Sequence, residues 1–190
     1  PIHWWSGLNM RSPTDRRVVA SLGGSYGEQA GKPGPDATAS LSLRPLDRLR
    51  FDLSGEFHAT FGRPRWIAER DDGMPIFGTA ETSNTIGGLR GTVGIRPRLS
   101  LSVWGRLFYA TATHDRFFEL RGPARLVETG QAPWRDAYDV GSTSLILNGI
   151  LRWEYLPGSF FFATYTHRSL LGEQGSVAFD PTGIFTNLGI

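Results

Sequence analysis

Cysteine is absent from the 190 residues, which excludes a disulfide framework and any thiolate metal centre. Lysine is almost absent too: Lys32 is the single one, and every other member of the twenty basic residues is arginine. With eighteen acidic residues the formal charge is only +2, and the basic residues are dispersed along the chain. A nucleic-acid partner is therefore not indicated, because such binding needs a clustered cationic footprint. No apolar run approaches the roughly 18–20 residues of a membrane helix. The opening PIHWWSGLNM has no initiator methionine and no signal-peptide pattern, so the chain reads as a segment of something longer.

Glycine (24) and proline (12) are plentiful, hydrophobic residues make up 39%, and the combination argues against a helical bundle and for an all-β chain. The hydrophobic period is two. In LRFDLSGEFHATF, Leu49, Phe51, Leu53, Gly55, Phe57, Ala59 and Phe61 alternate with Arg50, Asp52, Ser54, Glu56, His58 and Thr60. A strand sends successive side chains to opposite faces, so this stretch builds one apolar wall and one charged wall. DATASLSLRP repeats the pattern. So do Leu89–Gly91–Val93–Ile95 and Leu99–Leu101–Val103–Gly105–Leu107–Tyr109, although Trp104 and Phe108 interrupt the polar set of the latter. Leu145, Leu147, Leu151, Trp153 and Tyr155 form another wall, followed by SFFFATYTHR, whose parity stays open.

About eight strands result, several of ten residues or more, against a mean of about five or six in soluble sheets. Tilted strands of about nine to eleven residues are what a bilayer core requires. Short turns fall at RSPTD, RPLDR, RPR and LPGS. Long polar segments fall at residues 27–36, 62–81, 114–138 and after His167. Their alternation predicts an up-and-down antiparallel meander with tight turns at one end and long loops at the other, the asymmetry of a transmembrane β-barrel or a segment of a larger one.

The run LNGILRWEYLPGSFFFATYTHR, with RPLDRLRFDLS and IRPRLSLSV, resembles the bacterial family called domain of unknown function 5916. Its members typically join an N-terminal domain like the family 9 carbohydrate-binding modules to a C-terminal outer-membrane barrel. The resemblance implies that residues 1–190 are one outer-membrane β-barrel segment of a Gram-negative bacterium. It supplies no catalytic residues. The carbohydrate-binding-like domain is not in this segment, and the ending GIFTNLGI lacks the terminal aromatic of a barrel assembly signal, so truncation at both ends is expected.

The largest polar constellation consists of Arg50, Asp52, Glu56, His58, Arg90, Arg106, Arg152 and Glu154, expected to line a lumen where fixed cations favour anions. In a small closed barrel the same residues would fill the interior and neutralise one another. Trp66 and Tyr109 are expected at one membrane interface, Trp153 and Tyr155 at the other. His58 near Glu56 and Ser54 raises the alternative of a lipid hydrolase, but no G-x-S-x-G motif accompanies them, and the chain is not expected to be an enzyme. The pair Asp71–Asp72 has too few ligands for a calcium loop, and no metal or cofactor is called for. Arginines 116, 121, 125 and 135 are candidates for lipopolysaccharide phosphates. The expected function is a porin-like, transport-related barrel or a membrane anchor for a periplasmic domain, with a soluble ligand-binding β-barrel as a further alternative. The partners are outer-membrane lipid and lipopolysaccharide, the barrel-assembly machinery, and a small solute or glycan.

Overall fold

The computed structural model describes residues 4–29, 32–123, 125–129 and 138–174. Its strands are β1 (Trp4–Arg11), β2 (Val18–Gln29), β3 (Lys32–Leu46), β4 (Leu49–Glu69), β5 (Pro75–Arg96), β6 (Leu99–Arg121), β7 (Arg125–Glu128), β8 (Val140–Leu156) and β9 (Ser159–Gln174). All belong to one antiparallel sheet. Eight follow one another in the order β1-β2-β3-β4-β5-β6-β8-β9, and the short β7 folds back on the far end of β6. The expected all-β up-and-down meander is what forms, and the sheet is open.

Local chemistry sets the tight turns. Two residues each join β3 to β4, β5 to β6 and β8 to β9. In the last of these Pro157 fixes its own φ, Gly158 takes φ 78°, and the Glu154 carboxylate accepts the Gly158 N–H at 3.0 Å. Proline followed by a left-handed glycine is what a type II turn demands.

The opposite end corrects the expectation of long loops. Residues 62–81 are mostly strand: β4 runs on to Glu69, β5 begins at Pro75, and only residues 70–74 turn. Likewise β6 continues to Arg121, well into the segment expected as a loop, and β2 and β3 reach to Gln29 and Lys32. The prolines and glycines there read as breakers, yet each has a place in a ladder. Pro33 and Pro35, two apart, precede Asp36, the first β3 residue paired with β4, so their missing N–H groups interrupt no β3–β4 pairing. Pro64 lies beyond His58, where the β3 pairing of β4 has ended. Gly62, at φ 62°, occupies the irregularity between Thr60 and Arg63.

The sheet is a single layer over most of its area. Among the described residues only Ala59, Ile76, Ala80, Phe117 and Leu145 are buried apolar side chains. The chain exposes 12929 Å², whereas a compact protein of this mass exposes roughly 9,000 Å². Most of the small core sits at the extended end, where the irregularities bring β4, β5 and β6 side chains together.

Gly78 belongs to that core. A Cβ there would lie 2.2 Å from Ile67 Cδ1 and 2.9 Å from the His114 ring, whereas one at Gly55 would meet nothing within 4 Å. Gly78→Val is expected to destabilise the protein by about 1–3 kcal/mol, and Gly55→Ala to have no such cost, as measured by urea titration of tryptophan fluorescence.

Candidate functional site

Register decides which side chains share a face. On β4, Arg50, Asp52, Glu56 and His58 point the same way. Asp52 pairs with Arg90, and Ser54 pairs with Gly88, itself opposite Arg106. Gly94 pairs with Ser100, which pairs with Arg152, and Glu154 follows two residues on. All eight charged residues singled out in the sequence thus stand on one face of the sheet.

They are not one ion-pair network. Arg50 grips Asp52 with two hydrogen bonds, Nε to Oδ2 at 2.8 Å and Nη2 to Oδ1 at 3.0 Å, and Ser42 adds a third to Oδ1 at 2.6 Å. The Arg152 guanidinium lies 4.4 Å from the centre of the Phe160 ring, a cation–π contact. Glu154 is engaged in its turn. Among the described residues Glu56, Arg90 and Arg106 have no ion-pair partner, so the constellation keeps unneutralised cations on the face.

His58 has a different neighbour from those the sequence offered. Its Nδ1 bonds Asp36 Oδ1, and Ser25 donates to Asp36 Oδ2 at 3.2 Å. The order is serine, carboxylate, imidazole. A hydrolase needs the imidazole next to the serine to take its proton. Ser54 pairs instead with Ser40 and Gly88, four residues along the strand from His58.

The other face collects the apolar set: Leu41, Leu53, Leu89, Gly105 and Leu147 are successive partners across five strands, with rows of Leu, Val, Phe and Gly on either side. Register also settles SFFFATYTHR. Phe161, Ala163 and Tyr165 join the apolar face opposite Trp153, Leu151 and Gly149, while Phe160 and Phe162 join the polar one. The separation is cleanest over β2–β5. Beyond them Trp104, Ile146 and Ile150 enter the polar face, and His167 stands on the apolar one opposite Leu147, its Nε2 buried without a partner.

Trp153 and Tyr155 stack edge-on at 6.2 Å beside the tight turns, both about half exposed. Leu99 pairs with Trp153, and Tyr109 follows ten positions along β6. Trp66 does not share the Tyr109 level. It pairs with Phe77, which pairs with Phe118, nine positions beyond Tyr109, so it belongs to the strand extension. The second aromatic level is made by Tyr109, with Trp4 and Tyr26 in contact at 5.6 Å toward the same end of β1 and β2.

The extension carries a buried polar cluster that sequence reading missed. Glu119, 5% exposed, accepts from Arg70 at 2.7 Å, Arg121 at 3.3 Å and Thr129 at 3.4 Å. Asp139 accepts the His114 backbone N–H at 2.7 Å, and Thr79 bonds Asp115. Arg70 also holds Asp72 through its own fork, and those hydrogen bonds keep the Asp72 carboxyl below the ordinary carboxylate range. Partners 25 to 49 residues apart leave no local signal. Two arginines marked as lipopolysaccharide candidates are engaged here, Arg121 with Glu119 and Arg116 with the Phe118 ring at 5.9 Å; Arg135 lies outside the described residues.

An open antiparallel meander with one apolar and one arginine-bearing face defines the class of protein. The family model of the domain of unknown function DUF5916 matches residues 10–177, and the chain belongs to that family. No curated protein and no solved structure matches.

The extension supplies its own test. Asp72, depressed in the folded state, contributes stability that is present above its unfolded pKa of about 3.9 and is lost as pH falls through its lower folded value. Amide exchange over residues 70–80, corrected for intrinsic rates, is expected to speed up as pH falls below about 4, and in Asp72→Asn to lack that step. Glu119→Gln, which removes the buried charge, is expected to cost roughly 1–3 kcal/mol in urea unfolding.

Proposed function

We propose that the chain is part of an outer-membrane β-barrel of a Gram-negative bacterium, with the apolar face against hydrocarbon and the arginine-bearing face around water. One observation carries this reading: an apolar face runs across the whole meander, and among the described residues no protein layer covers it. Among its leucines and phenylalanines, Leu8 is 69% and Leu53 43% exposed. Water would make such a surface costly, at about 25 cal/mol for each Å².

Dimensions agree with a bilayer. The ten positions from Leu99 to Tyr109 span roughly 33 Å along the strand, at about 3.3 Å each. At a tilt of about 40° they cross roughly 25 Å, the height of a transmembrane barrel's apolar band. Trp153 and Tyr155 lie at one edge of that band and Tyr109 at the other, where amphipathic rings are at home. Closed barrels satisfy every backbone group in lipid, and a meander of this length is the piece from which one is built.

The polar face then bounds the lumen. Its unpaired Arg90 and Arg106 bias the interior toward anions, and the barrel acts as a channel for small solutes or as an anchor for a periplasmic domain. Lipid, lipopolysaccharide and the barrel-assembly machinery are the partners this setting entails. The Ser25–Asp36–His58 order gives the hydrolase reading no support.

Substituting one residue on each face tests the reading. Leu89, at mid-band on the apolar face, changed to Arg is expected to cost roughly 2–4 kcal/mol in folding into lipid vesicles, and Thr92→Arg on the polar face about 0–1 kcal/mol. A chain that folds in water without lipid or detergent, or equal effects of the two substitutions, overturns the membrane placement. Single-channel conductance in planar bilayers separates channel from anchor.

A further inference from the structure

The polar face carries a feature that the charged residues do not explain. Trp5, on β1, is 72% exposed, yet it stands among polar neighbours, on the face opposite Trp4 and Tyr26. Its ring packs close to the backbone of β1 and β2. A Cβ at Gly7 would be 2.9 Å from its Cζ2, and one at Gly27 would be 3.2 Å from its Cδ1. Two glycines therefore make room for the indole against the sheet, while most of its surface stays exposed.

Register sets polar groups beside this ring. Gly7, Ser25, Asp36 and His58 form one row across β1–β4, and Asn9, Gly23, Thr38 and Glu56 form the next. Gly23 is the floor of a groove of about 250 Å³ that Trp5, Asn9 and Thr38 help to line. Asn9 Nδ2 and Thr38 Oγ1 lean over it, 3.4 and 2.6 Å from where a Cβ would stand. Neither side chain has a hydrogen-bond partner among the described residues. Asp36, by contrast, has both oxygens engaged, by Ser25 and His58.

We propose that this groove is a subsite for a neutral saccharide, with one pyranose ring stacked on Trp5 and its hydroxyl groups bonded to Asn9 and Thr38. A flat aromatic face suits the C–H side of a sugar ring, whose positively polarised hydrogens meet the negative face of the indole. The free carboxamide and hydroxyl offer neutral donors and acceptors to the hydroxyl rim. Pockets for drug-sized molecules run to roughly 300–1,000 Å³, so this one takes a single ring. A cationic ligand is less well served, since the carboxylate beside the ring is already taken. The subsite rests on the preceding reading only in that the polar face must be open to water.

The test uses the full chain in a micelle of a zwitterionic detergent without a sugar headgroup, or in buffer if it folds there, so that failure of the membrane reading does not decide this one. Glucose, N-acetylglucosamine and maltotriose are titrated by calorimetry and saturation-transfer NMR, with circular dichroism confirming that each variant is folded. At least one of the three is expected to bind, and Trp5→Ala to weaken it by about tenfold. Gly23→Val, which fills the floor, is expected to do the same, and Trp104→Ala, on the same face in other rows, to change nothing. Absence of binding by the folded chain up to about 50 mM, binding that survives Trp5→Ala, or displacement by tetramethylammonium overturns the proposal.

Discussion

An antiparallel ladder that is almost unbroken from β1 to β9 governs everything else in this protein. Because each strand sends alternate residues to opposite faces, aligning neighbours residue by residue adds short local alternations into two continuous surfaces. Leu41, Leu53, Leu89, Gly105 and Leu147 come from five strands, yet they form one row. A slip of one residue would bring the other face's side chains into that row, Ser42 for Leu41, Asp52 for Leu53, Arg90 for Leu89 or Arg106 for Gly105. Among the described residues the sheet has no second layer to hide such a mistake, so register rather than packing density fixes the two surfaces.

Irregularities in the ladder are confined to places where the two-faced pattern is no longer needed. The shifts between Thr60 and Arg63 and between Thr79 and Ala80 mark where the strands leave the clean alternation and begin the extension. Past them the sheet gathers its small core, Ile76, Ala80 and Phe117, and its buried Glu119 with two arginines. A buried carboxylate needs charged and hydrogen-bonding partners, and the extended hairpins deliver them from distant points of the chain. The two parts of each long strand are thus held by different means, the first by pairing alone and the second by pairing plus a core.

Glycine and proline do more here than punctuate. On the polar face Gly7 and Gly27 leave room for the Trp5 indole and Gly23 for the Thr38 hydroxyl, and Gly78 admits Ile67 and His114 into the core. Pro33, Pro35 and Pro64 stand inside strands, at positions where β3 and β4 do not pair. Residues that signal a break in a one-dimensional reading become permissive or neutral once their neighbours across the sheet are known.

The sequence by itself determined the period of two, the sign of each face and where the tight turns fall, because these depend on residues within a few positions of one another. Hence Arg50, Asp52, Glu56 and His58 were legible as one charged wall, and the meander followed from their repetition. Only the tertiary structure decided what meets across strands: that His58 bonds Asp36 rather than a serine, that Trp66 lies nine positions beyond the Tyr109 level, and that residues 62–81 are hairpin rather than loop. Those outcomes depend on pairings across strands, 22 positions apart for His58 and Asp36 and 6 to 17 within the 62–81 hairpin, and a local pattern carries no information about which partner closes the ladder.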